Sequence, residues 1–210
     1  MKVLVFDDMN CVTDQEVARM LPLVSPGRCE QALRYKHTLG QFCCLKSWLM
    51  VQEAVENYEL RITNYELRIT NYELGEWQYN EHGKPYLRIK NEKLKIKNHE
   101  LPYFNISHCK EGIAVVVDAH PVGIDIEGIR RADRELIERT MNEKEQAEIF
   151  SARDSNRCFT RLWTRKEAVL KCIGTGIEGF EPLQQALTTF EGKVQTIETD
   201  RYIYSIATTT

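Results

Sequence analysis

Two carboxylates stand two residues apart in the segment Val122-Gly-Ile-Asp-Ile-Glu127. In a β-strand alternate side chains face the same side, so Asp125 and Glu127 point into one space while Ile124 and Ile126 pack on the other. Carboxylates this close repel unless a cation lies between them or one of them binds a proton. Oxygen ligands on a rigid strand suit Mg²⁺, which proteins commonly hold through one or two carboxylates together with substrate phosphates. Taken alone, however, the pair is more typical of two acids that face solvent.

A second group of candidates lies on a predicted helix over residues 155–173, where Trp163, Glu167 and Lys171 are spaced four residues apart along one face. An exposed Glu167–Lys171 ion pair would contribute little to stability. Trp163 on the same stripe indicates that this face is partly covered. Glu167 is therefore a candidate for a third Mg²⁺ ligand, or for a base that accepts a proton from a hydroxyl nucleophile, and Lys171 for a cation that neutralises phosphate.

A polar segment, Asn105-Ile-Ser-His108, precedes a run of β-branched residues. Ser107 and His108 can donate hydrogen bonds to phosphate oxygens, although such a segment is also typical of a polar turn. A Ser–His hydrolase dyad is a further alternative, but sequence neighbours rarely take that geometry and the chain has no Gly-x-Ser-x-Gly motif. Lys84 follows Gly83 and precedes Pro85, so it is a cation on a stiff turn, and Arg28 offers positive charge from the first helix.

Composition limits the class of protein. The chain has 210 residues, 42% of them hydrophobic, which is enough for a real core, and its net charge of −3 argues against a general nucleic-acid binder. We find no apolar run long enough to span a membrane and no signal peptide, and therefore expect a cytoplasmic protein that contacts neither membrane nor nucleic acid. The odd number of cysteines, seven, predicts reduced, mostly packed thiols.

One local charge cluster departs from the acidic average. Arg130, Arg131 and Arg134 directly follow the two-carboxylate segment. The cluster is consistent either with a solvated surface or with a docking site for an acidic partner, because docking depends on the local field rather than on net charge.

Strands and helices alternate irregularly along the chain, which predicts an α+β fold. We expect strands at 1–8, 113–117, 122–127, 186–190, 194–197 and 202–206, helices at 28–56 and 155–173, and one or two short helices within 133–150. Residues 113–117 and 122–127 should form a hairpin or a tight β connection, and Gly174 and Gly176 should end the helix over 155–173. The seven-residue unit at 57–63 recurs at 64–70 and begins again at 71–74, which we interpret as a duplicated insertion that extends the preceding helix and has no catalytic content.

These motifs, in this order, resemble those of the 4′-phosphopantetheinyl transferases of the surfactin-synthetase-activating type. The matching stretches are Gly83-Lys-Pro85, Phe104-Asn-Ile-Ser-His108, Gly123-Ile-Asp-Ile-Glu127 and Trp163-Thr-Arg-Lys-Glu-Ala-Val-Leu-Lys171. The resemblance implies a pseudo-dimer of two similar α+β halves, which we place at 1–103, including the 57–74 insertion, and 104–210, with the active site in the cleft between them. A monomer is expected, since the two halves already form such a pair.

The resemblance also implies a reaction: transfer of the phosphopantetheine arm of coenzyme A to a serine of an apo carrier protein, with release of 3′,5′-ADP. Asp125, Glu127 and Glu167 would coordinate Mg²⁺ with the diphosphate, and Glu167 and Lys171 would be catalytic. The implied coenzyme A-binding residues are Arg28, Lys84, Ser107, His108 and Lys171. Two alternatives remain from the residues themselves, a metal-dependent nucleotide phosphohydrolase and a non-catalytic coenzyme A-binding module.

Overall fold

The computed structural model describes residues 1–62, 78–81, 84–86, 102–176 and 179–209. Within these ranges the helices are α1 (Asp14–Met20), α2 (Pro26–Leu33), α3 (Thr38–Ile62), α4 (Arg134–Thr140), α5 (Glu143–Ser151), α6 (Ser155–Ile173) and α7 (Phe180–Thr189). The strands are β1 (Lys2–Phe6), β2 (Gln78–Tyr79), β3 (Pro85–Tyr86), β4 (Tyr103–Cys109), β5 (Gly112–Asp118), β6 (Val122–Gly128), β7 (Lys193–Glu198) and β8 (Tyr202–Thr208). Short 3₁₀ helices at Met9–Cys11 and Leu21–Leu23 flank α1. The predicted α+β class is confirmed.

Two three-stranded antiparallel sheets form the centre of the molecule, in the orders β1-β5-β4 and β6-β8-β7. The central strand of the first sheet, β5, is buried along its whole length because both of its faces are covered. Side chains at alternate positions, Ile113, Val115 and Val117, pack against α1–α3, while Ala114 and Val116 pack against the second sheet. A strand buried on both faces is expected to be apolar at every position, as β5 is.

The second sheet has a division of faces that determines where the site lies. Ile124 and Ile126 of β6 are packed between the two sheets. The opposite face of β6 lies against α6, so Gly123, Asp125 and Glu127 face that helix. The predicted alternation along 122–127, with isoleucines inward and carboxylates in one space, is confirmed.

Helix α6 spans the predicted residues, 155–173. Asp154 caps its N-terminus by accepting a hydrogen bond from the amide of Arg157. Its C-terminus ends at Gly174, whose φ of 88° lies in the left-handed region that glycine adopts without strain. The apolar face of α6 packs on β6 and β8, which fixes the helix directly above the carboxylate strand.

Several predictions of elements need correction. Residues 186–190 form no strand, since 186–189 belong to α7, where Leu183 and Ala186 are buried against α6. The connection at 119–121 is tight, but the strands that it joins are not paired as a hairpin, because β5 pairs with β1 and β4 whereas β6 pairs with β8. The predicted helix over 28–56 is two helices, α2 and α3, that are separated at residues 34–37.

The sequence repeat lies mostly outside the described residues. Helix α3 continues to Ile62 and so includes the first six residues of the repeat, in agreement with an insertion that extends the preceding helix. Around the predicted turn near Lys84, β2 and β3 pair as a short antiparallel ladder. Within the described ranges, none of the helices has the length and apolarity required to cross a bilayer.

Candidate active site

The three predicted carboxylates are brought together where α6 crosses β6. Asp125 and Glu167 are buried, with 4% and 8% of their surface exposed, and Glu127 is half-buried. The helix can approach this closely because residue 123 is glycine: a Cβ there would overlap the carbonyl oxygen of Ala168 and the amide of Cys172. Gly123 thus brings Glu167 to the strand that carries the other two acids.

Lys171 completes the cluster. Its ammonium donates to Oδ1 of Asp125 at 2.6 Å and to the hydroxyl of Ser107 at 3.1 Å. Ser107 in turn donates to the same Asp125 oxygen at 2.9 Å. The side chain of Asn105 holds β4 against β6, because its Oδ1 accepts a hydrogen bond from the backbone amide of Ile124. Residues 105 and 107 face the same side of β4, so one hydrogen bond aligns the strand and the next joins Ser107 to the acid cluster.

Electrostatics in this cluster favour protonation of the acids. Burial, together with the neighbouring charge of Asp125, raises the pKa of Glu167 to about 7, while Lys171 opposes the shift. The pKa of Glu127 is also raised, first by burial and then by Asp125, and Arg130 opposes this shift from 3.4 Å away. A buried carboxylate with a pKa near neutrality can exchange a proton under physiological conditions, which a general base requires.

The donor set fits a hard divalent cation. Oδ2 of Asp125 is buried, and none of the described groups donates a hydrogen bond to it, so one carboxylate oxygen is available for a ligand. Its neighbours Glu127 and Glu167 offer the oxygen atoms that Mg²⁺ prefers. Among the residues that the structure covers, no three His, Cys, Asp or Glu side chains are already clustered as metal ligands, and the cation that contacts Asp125 is the ammonium of Lys171.

The other predicted coenzyme A-binding residues lie at different distances from this cluster. His108 follows Ser107 on β4 and has an exposed side chain, and its pKa is lowered by partial loss of hydration and by the charge of Lys171. Lys84 is half-buried and donates to the carbonyls of Cys172 at 2.9 Å and Val122 at 3.5 Å, so it lies at the opposite end of β6 from Glu127.

Arg28 lies on α2, which precedes the other predicted coenzyme A-binding residues in the chain. Its guanidinium stacks 5.2 Å from the ring centroid of Trp48 and donates to Gln31. These contacts belong to the helical layer, and they do not join Arg28 to the acid cluster.

The basic cluster after β6 is partly ordered by aromatic rings. Arg130 lies 5.0 Å from the ring centroid of Trp163, and Arg134 lies 4.7 Å from that of Phe150, while Arg131 is exposed. Trp163 is half-buried beneath Arg130, so the predicted covering of this face of α6 is confirmed.

The cysteines are all free, as predicted, and four of them are buried: Cys43, Cys44, Cys158 and Cys172. Cys109, which neighbours His108, has its pKa raised to about 12, mainly by burial. A thiol that resists ionisation is a poor nucleophile, so catalysis by Cys109 is not favoured.

Two charged residues near the site were not predicted. Lys166 is completely buried and forms an ion pair with Glu145 at 2.6 Å while donating to backbone carbonyls of Thr140 and Leu183. Its signal in the sequence is its position between Leu162 and Leu170 on the apolar face of α6, where a lysine must have partners. Glu111 lies beside Gly128 and adds to the negative charge around Glu127, and its place in a turn gives no such signal.

Comparison with known proteins identifies the part of the chain that carries this cluster. Residues 121–207 match the 4′-phosphopantetheinyl transferase superfamily. The chain is 35% identical over 100 residues to the 4′-phosphopantetheinyl transferase gsp of Aneurinibacillus migulanus, covering 47% of this chain and 38% of that protein. It is 24% identical over 172 residues to the 4′-phosphopantetheinyl transferase Sfp of Bacillus subtilis, covering 79% of this chain and 67% of that protein.

A third relative is the 4′-phosphopantetheinyl transferase AcpT of Escherichia coli, with 38% identity over 102 residues that cover 46% of this chain and 47% of that protein. The chain thus spans between about two fifths and two thirds of the length of these curated relatives. The matched residues include β6, with Asp125 and Glu127, and α6, with Glu167 and Lys171. The resemblance seen in the motifs is confirmed, because the region that builds the acid cluster matches the 4′-phosphopantetheinyl transferase superfamily.

Proposed function

We propose that this chain transfers the 4′-phosphopantetheine moiety of coenzyme A to a serine of an apo carrier protein and releases 3′,5′-ADP. The observation that carries the proposal is the convergence of Asp125, Glu127, Glu167 and Lys171 at the crossing of β6 and α6, inside the region that matches the superfamily. Neighbouring carboxylates with a lysine bound to one of them suit a diphosphate bound together with a divalent cation.

In this proposal Asp125, Glu127 and Glu167 would hold Mg²⁺, which would supply positive charge to neutralise the diphosphate. Lys171 lies within reach of Asp125 and supplies a further positive charge to the same phosphates. The carrier serine attacks the phosphorus that bears the pantetheine arm, a new phosphorus–oxygen bond forms, and the bond to the 3′,5′-ADP leaving group breaks. The protein contributes mainly by orienting the reactants and neutralising charge, as is general in phosphoryl transfer.

Glu167 is the proposed acceptor of the serine proton. Without a bound cation, burial and the neighbouring acids raise the pKa of Glu167 to about 7, so this carboxylate is the one in the cluster that most readily takes up a proton. The nucleotide portion of coenzyme A is proposed to bind to Ser107 and His108 on β4, to Lys84 and to Arg28.

The two-half arrangement with a cleft, at 1–103 and 104–210, remains part of the proposal, as does a monomeric state. The proposed carrier is acidic and docks near Arg130, Arg131 and Arg134.

The decisive experiment incubates the protein with coenzyme A, Mg²⁺ and a panel of apo carriers of the fatty-acid, polyketide and peptide-synthetase types. The expected result is a gain in carrier mass equal to one phosphopantetheine arm, which Asp125→Asn abolishes. Asp200→Asn, an exposed acid in the turn between β7 and β8, is the matched control and should retain transfer. No mass gain on any carrier would refute the proposal.

The same assay separates the two alternatives. A nucleotide phosphohydrolase would cleave coenzyme A without any carrier present. A binding module would retain coenzyme A but show no chemistry, and its binding would tolerate Glu167→Gln.

A further inference from the structure

Asp125 has two unlike oxygen atoms. Oδ1 accepts hydrogen bonds from both Lys171, at 2.6 Å, and Ser107, at 2.9 Å. Oδ2 is buried and receives none from the described residues. The carboxylate is therefore already neutralised by one cation while it still has an oxygen suited to a second one.

A divalent cation on this carboxylate would lie close to the ammonium of Lys171. Like charges in a buried setting repel strongly, because little solvent screens them. The side chain of Lys171 is 28% exposed, whereas that of Asp125 is 6% exposed, so the lysine is the partner with room to turn away. A diphosphate beside the site would attract the ammonium and remove this repulsion.

We propose that Lys171 couples the binding of coenzyme A to the binding of the divalent cation, by competing for Asp125 until the diphosphate attracts its ammonium. The inference rests on the proposed function, since it takes coenzyme A as the source of the diphosphate. By thermodynamic reciprocity, coenzyme A strengthens cation binding by the same factor by which the cation strengthens coenzyme A binding. The lysine thereby disfavours a cation that arrives without its phosphate partner.

The test measures Mn²⁺ binding by electron paramagnetic resonance, in which the free ion gives the signal, with and without coenzyme A. In the absence of coenzyme A we expect Lys171→Met to bind Mn²⁺ about tenfold more tightly than the wild type, within the usual range of coupling energies. The ratio of affinities with and without coenzyme A should be smaller in the variant. Lys193→Met, which removes an exposed charge on β7, is the matched control and should behave as the wild type.

Lys171→Gln provides a second neutral side chain with the same expected result, and Lys171→Arg, which keeps the charge, should bind Mn²⁺ weakly without coenzyme A. Thermal unfolding verifies that each variant is folded. Equal Mn²⁺ affinity of the wild type and both neutral variants in the absence of coenzyme A would overturn the inference, even if carrier modification were observed. Conversely, altered Mn²⁺ coupling without any carrier modification would support the inference and refute the proposed transfer.

Discussion

Replacing Glu167 by glutamine should change how the stability of the protein depends on pH. Glu167 is buried at the crossing of β6 and α6, and its pKa is about 7 rather than the usual 4.5. The folded chain therefore holds this proton more tightly than the unfolded chain. The resulting contribution to stability is complete below pH 4.5 and is lost as the pH rises through about 7. Glutamine does not titrate, so the stability of the variant does not fall with pH for this reason.

The magnitude follows from the two pKa values. Their difference corresponds to about 3 kcal/mol in total, at about 1.4 kcal/mol for each tenfold change in proton affinity. Because the unfolded glutamate is already partly ionised at pH 5, about 2 kcal/mol of this falls between pH 5 and pH 8. The variant should therefore be about 1 kcal/mol more stable than the wild type at pH 5 and about 3 kcal/mol more stable at pH 8.

The measurement is urea unfolding followed by tryptophan fluorescence at both pH values, with a chelator present and stability obtained by linear extrapolation. Glu191→Gln, an exposed acid that follows α7, is the control and should show the same difference from the wild type at both pH values. A difference between Glu167→Gln and the wild type that does not change from pH 5 to pH 8 would refute the reasoning.

Excess Mg²⁺ should raise the stability of the wild type more at pH 8 than at pH 5.

Three further substitutions test the framework of the site, each by urea unfolding. Lys166→Met should destabilise the protein by about 3 kcal/mol or more, because it leaves Glu145 buried without its cation; equal stability would show that the pair is not required. Gly123→Ala should cost about 1–3 kcal/mol, since the new methyl overlaps the backbone of α6 at Ala168, and unchanged stability would mean that the helix can shift freely. Gly174→Ala should cost about 1–2 kcal/mol because of the positive φ at the end of α6, whereas a neutral effect would contradict the left-handed conformation.

The sequence predicted the elements that carry the site better than those around it. Helix α6 was predictable because a clear apolar stripe and a terminal glycine mark both its face and its end. The alternation in β6 was predictable for a similar reason, since isoleucines and acids occupy opposite faces. Local patterns are sufficient when one element packs on a single apolar surface.

Pairing between distant strands was not predictable from local patterns. The apolar runs of β5 and β6, three residues apart, are typical of a hairpin, yet β6 pairs with β8, about 80 residues later. Likewise, residues 186–190 have the threonines and the aromatic residue that favour strands, but α7 buries Leu183 and Ala186 against α6 and so remains helical. Tertiary packing here overrides propensity.

The contacts of the site were predictable only in part. The side-chain periods of a strand and of a helix predict which face of β6 carries Asp125 and which face of α6 carries Glu167. The hydrogen bond from Lys171 to Asp125 depends in addition on the angle between helix and strand, which the sequence does not give. The ion pair of Lys166 with Glu145 joins α6 to a helix that precedes it in the chain, and only the fold makes the two neighbours.

The pairing of β1 limits the order in which the two sheets can form during synthesis. Its partner, β5, lies more than 100 residues later, so β1 leaves the ribosome long before its ladder can form. The helical layer α1–α3 is made in that interval, while the first sheet must wait for residue 118 and the second for β8 at 202–208. The acid cluster, which needs α6 seated on β6, is thus among the last features to assemble, and chains that terminate early cannot acquire it.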